Sequence, residues 1–87
     1  MVSWGKGELV VRSRLKELVY QRERESGERI WQKDIASATG LTEKTISRWM
    51  SPEPFTRLEV DAVVRLCRFL NVNLNDLVYM EEIPATQ

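Results

Sequence analysis

Histidine is absent from this 87-residue chain and cysteine occurs once, as Cys67. Without an imidazole, a general base at neutral pH would have to be a carboxylate or a lysine with a strongly displaced pKa, so the inventory argues against catalysis. A lone cysteine forbids an internal disulfide and leaves a zinc site almost without ligands, and neither a metal nor a cofactor is expected. Cys67 lies in Val63-Val64-Arg65-Leu66-Cys67-Arg68-Phe69-Leu70 and is expected as a small core residue. The sequence also lacks a glycine-rich phosphate loop and a serine nucleophile turn, and no enzyme is expected.

Long apolar runs are missing too. The start, Met1-Val2-Ser3-Trp4-Gly5-Lys6-Gly7, is not a signal segment, and no stretch approaches the roughly 20 apolar residues of a membrane span. The expectation is a cytoplasmic protein with no membrane partner and no small-molecule ligand. Neither sign of charge dominates: 13 Lys and Arg balance 13 Asp and Glu. Nucleic-acid-binding domains are often basic overall, so the total counts against that class. The distribution softens the objection, because Lys6, Arg12, Arg14, Lys16, Arg22, Arg24, Arg29 and Lys33 outweigh the acids early in the chain, whereas Asp76, Glu81 and Glu82 load its end. A chain neutral in sum can still present a positive face.

What is present suffices for one modest core: 43% of the residues are apolar and 30% charged. A single domain over residues 1–87 is expected, with 1–8 and 81–87 as tails. Val11, Leu15, Leu18 and Val19 recur at helical spacing and predict a first helix over about 9–25, stopped by Ser26-Gly27. Leu9-Val10-Val11 carries a second reading, as a short strand beside Val78-Tyr79-Met80. Residues 32–39 predict a short helix ended by Gly40, and Thr42 is an N-cap for a third over 43–50, which Pro52 and Pro54 forbid from continuing. A fourth helix begins between Arg57 and Asp61, with Thr56 or Asp61 as cap, and ends at Asn71. Val60, Val63, Val64, Leu66, Cys67 and Leu70 make it apolar through much of its circumference, as in a central core helix. Asn73 caps a last turn over 74–78. Several short helices without hairpin signals imply an all-α fold, a compact bundle of about five helices.

On the third helix, Ile46, Trp49 and Met50 share one side, and Lys44, Ser47 and Arg48 share the other. The exposed set, with Glu43 and Thr45, is dense in groups that bond to base edges. Ala36, Gly40, Ile46 and Trp49 fall where two helices crossing through a tight corner need a small residue, a glycine and two apolar residues. Over 32–51 the sequence resembles the helix-turn-helix of the Cro and phage-repressor family, and similarity extends over about 9–80. Thr45-Ile46-Ser47-Arg48-Trp49 is especially close to that family's recognition helix.

The resemblance implies a lambda-repressor-like domain that binds double-stranded DNA and regulates transcription. It implies base contacts from Glu43, Lys44 and Arg48, with Thr45 and Ser47 beside them, and phosphate contacts from Gln32 and Lys33. Because one short helix reads too few base pairs for useful specificity, a homodimer on paired half-sites is expected, with residues 74–83 or 9–11 as candidate contacts. The alternative is a protein-interaction module of the same fold, an antitoxin or a repressor partner. Three features depart from the family pattern. Trp31 replaces the usual Thr or Ser cap and is expected to pack as a hydrophobic staple. The link over 20–30 is long, so that either the first helix is extended or the link is mobile. Met50-Ser51-Pro52 replaces a glycine-containing exit.

Overall fold

The computed structural model describes residues 8–83, in the order β1 (Glu8–Ser13), α1 (Leu15–Ser26), α2 (Gln32–Thr39), α3 (Glu43–Met50), α4 (Val60–Leu70), α5 (Leu74–Leu77) and β2 (Val78–Ile83). The apolar periodicity of the sequence explains where the helices bury themselves. Leu15 and Val19 lie one turn apart on α1, as do Leu66 and Leu70 on α4, and all four are buried. With Ile35, Ala36, Ile46, Trp49, Ala62 and Leu77 they form one core. Each fully buried leucine contributes about 1.5–3 kcal/mol.

The expectation of an all-α fold is corrected: five helices are joined by a two-stranded antiparallel sheet. The strand reading of Leu9-Val10-Val11 holds, in register Leu9↔Glu82, Val10↔Glu81 and Val11↔Met80. Helix α1 therefore starts later than the periodicity suggests, at Leu15, whose N–H is received by Ser13 Oγ at 3.0 Å. Glu8 and Glu81–Ile83, expected in tails, are paired strand residues. Residues 1–7 and 84–87 of the expected tails lie outside the described residues. Arg12 and Glu81 are diagonal neighbours on one face of the ribbon and form an ion pair. The Arg14 guanidinium lies over the Tyr79 ring at 4.3 Å.

The long link resolves in favour of an extended helix. Helix α1 runs to Ser26 and is closed by Gly27 at φ +74°, and Glu23 Oε2 receives the Ile30 N–H at 2.7 Å. Arg22 donates to the Leu70 carbonyl at 2.6 Å and so satisfies the end of α4. Glu59, not Thr56 or Asp61, occupies the N-cap position of α4, and its side chain makes no capping bond. Its apolar circumference is also corrected: Val60 and Val64 face solvent, and only Ala62, Leu66 and Leu70 are buried. Cys67 is half-buried against the core. Burial, reinforced by the Asp76 carboxylate, raises its thiol pKa and keeps it protonated.

Candidate nucleic-acid interface

The corner between α2 and α3 is built by backbone chemistry. Gly40 closes α2 with φ +77°, its N–H bonded to the Ala36 carbonyl at 2.9 Å. That left-handed conformation favours glycine, and a Cβ there would also stand 2.7 Å from Arg65 Nη1. The same Arg65 nitrogen donates to the Thr39 carbonyl at 2.8 Å, which ties α4 to the corner. Thr42 caps α3 as expected, its hydroxyl oxygen receiving the Thr45 N–H at 3.1 Å. Ile46 and Trp49 are buried, so α3 lies with one face against the core and turns the other outward.

Glu43, Lys44 and Ser47 are exposed on that outward face. Thr45 is half-buried, and its hydroxyl receives the Thr42 O–H at 2.9 Å. Gln32 and Lys33, exposed at the start of α2, line one surface depression together with Glu43 and Trp31. The structure thus brings the residues expected at phosphates next to the beginning of the outward helix face.

Arg48 behaves differently from its neighbours. It is half-buried and turned toward the chain that leaves α3. Its Nη1 donates to the Glu53 carbonyl at 3.2 Å and its Nη2 to the Pro54 carbonyl at 2.7 Å. The guanidinium carbon stands 4.2 Å from the centre of the Phe55 ring. The outward projection expected of Arg48 is therefore not found. The carbonyls of Glu53 and Pro54 lie in the exit, outside any helix or strand ladder, and the guanidinium fork supplies their donors.

Two features were not foreseen in the sequence. Trp31 is half exposed at the cap position of α2, with the Arg29 guanidinium 4.5 Å from its ring centre. It is no staple; Ile30, one residue earlier, packs against the core instead. The second feature is the exit segment, where Phe55 donates its N–H to the Val11 carbonyl at 2.8 Å and packs its ring, tilted by 47°, against Trp49 with ring centroids 4.6 Å apart. An aromatic residue directly after two prolines was the available signal. Its partner on β1, 44 positions away, was not readable.

No helix among the described residues is long and apolar enough to cross a membrane. No curated protein matches the chain. A solved structure of a protein from Bacteroides fragilis, named as a candidate DNA-binding protein, is similar, with a TM-score of 0.59 and 26% identity. The likeness covers 79% of this chain and 98% of that one. The family model described as the Cro/C1-type helix-turn-helix DNA-binding domain matches residues 28–82. That match takes in the glycine corner, the outward helix and the ribbon strand β2, and the chain belongs to the Cro/C1-type helix-turn-helix DNA-binding family.

Proposed function

We propose that this protein is a sequence-specific transcriptional regulator that lays α3 in the major groove of double-stranded DNA. The observation that carries the reading is the arrangement at the Gly40 corner: Ile46 and Trp49 are buried while Glu43, Lys44 and Ser47 face solvent beside Gln32 and Lys33. A lysine reaches guanine acceptors, a glutamate accepts from a cytosine amino group, and a serine bonds to either kind of edge. Thr45 lies at the rim of this face, where its methyl can meet a thymine methyl. Gln32 and Lys33, at the positive end of α2, suit a phosphate and would set the register of the helix in the groove.

One short helix reads too few base pairs for useful selectivity, so two copies would bind half-sites separated by about one helical turn, roughly 34–36 Å. The name given to the Bacteroides fragilis neighbour agrees with a DNA partner. Titrating the protein with preferred and scrambled duplexes over a range of salt concentrations tests the reading. Preference for one duplex, with affinity falling steeply as salt rises, is the expected result. Equal, salt-insensitive binding to every duplex would instead favour a protein partner for the same face.

A further inference from the structure

We propose that Arg48 is a positioning residue: with Arg12 it locks the exit segment 51–55 against the ribbon, and so fixes the angle at which α3 presents Glu43, Lys44 and Ser47. This deepens the DNA-reading function and rests on it. Three successive carbonyls of the exit, those of Pro52, Glu53 and Pro54, are each met by an arginine. Arg12 Nη1 takes the first at 2.5 Å, and Arg48 takes the other two. A guanidinium is suited to this, because its planar fork offers several N–H groups at once while its face can rest on an aromatic ring.

Arg48 uses both properties, with its face over Phe55. Phe55 is in turn joined to Val11 of β1 by a backbone bridge and to Trp49 of α3 by a tilted ring contact. Arg12 closes the circuit, since its Nε also pairs with Glu81 of β2. The C-terminal turn of α3 is thereby connected through the exit to both ribbon strands. An Arg48 swung out to a base edge would have to release two carbonyls and the ring together. Lys44, one turn earlier on the same stripe, is exposed and has no such attachment.

The test uses the full chain with Arg48→Met, which keeps an apolar stem over Phe55 but has no donors, and Arg12→Met, which lies on the ribbon. Circular dichroism establishes that each variant is folded, and selection from a randomised duplex library gives base preference position by position. Amide exchange of Phe55, whose N–H bonds to Val11, reports the lock without DNA. For Arg48→Met the expected result is a loss of about tenfold on the preferred duplex and by the same factor on its single-base variants, the size of one or two charged hydrogen bonds. The preference profile should be retained, and Phe55 should exchange faster. Arg12→Met should give the same pattern with a smaller loss.

A preference flattened at one base pair in Arg48→Met overturns the proposal, since that is the signature of a lost base contact. Unchanged affinity, or unchanged Phe55 exchange in both variants, overturns it as well. A wild-type chain without base preference removes the DNA-reading function itself and this inference with it, an outcome seen before any variant is compared.

Discussion

The helix-turn-helix centre and the ribbon with its attached exit segment are held together by different kinds of contact. In the centre, Ile35, Ala36, Ile46, Trp49 and Leu66 are buried, and the polar groups at the corner serve to close helices. In the ribbon, Leu9, Met80 and Ile83 remain substantially exposed, and a good part of the attachment is polar: Arg12 to Glu81 and to Pro52, and Phe55 to Val11. The centre is stabilised by removing apolar area from water, the ribbon by directional bonds that compete with water at the surface. The first arrangement holds the outward face of α3 on a packed core. The second orients that surface and is the more easily opened.

Substitutions in the two regions should therefore differ in size. Leu66→Ala, at a fully buried position, should destabilise the fold by about 2–5 kcal/mol. In a domain of this size each kcal/mol corresponds to about 4–8 °C in Tm by calorimetry. Ala36→Leu, which forces volume between α2 and α3, should destabilise by about 1–3 kcal/mol in urea unfolding, and an unchanged midpoint would remove that close crossing. Gly40→Ala should lose roughly 1–2 kcal/mol from the left-handed backbone, and its Cβ would push Arg65 away from the Thr39 carbonyl. Met80→Ala, at an exposed position of the ribbon, should stay within about 0.5 kcal/mol of wild type. A Met80 effect as large as that of Leu66 would mean that the ribbon is itself a core element, and the contrast would fail.

The same contrast explains what could be read without coordinates. Helices α2 and α3 were legible to the residue, because Gly40 as stop, Thr42 as cap and the prolines after Met50 act on their immediate neighbours. The ribbon was only one of two readings, because Val11 finds Met80 across 69 positions and no hairpin turn announces the pairing. Helix α4 misled for a related reason: six apolar residues read as burial through much of the circumference, yet among the described residues Val60 is left largely uncovered and Val64 nearly half so. At the candidate interface, the outward placement of Lys44 and Ser47 followed from the helical wheel. Arg48 did not, since its partners are carbonyls of a loop whose path depends on the ribbon.

The reading of bases by the outward face of α3 is tested most directly at Lys44, the exposed cation on that face. Half-site preference should be measured from a randomised duplex library for wild type and for Lys44→Ala, side by side. The expected result is a wild-type preference over several adjacent base pairs that the variant loses at one position, where discrimination falls by about 1–3 kcal/mol while Tm is unchanged. An identical profile in the two proteins, or an equal loss on every sequence, would contradict it.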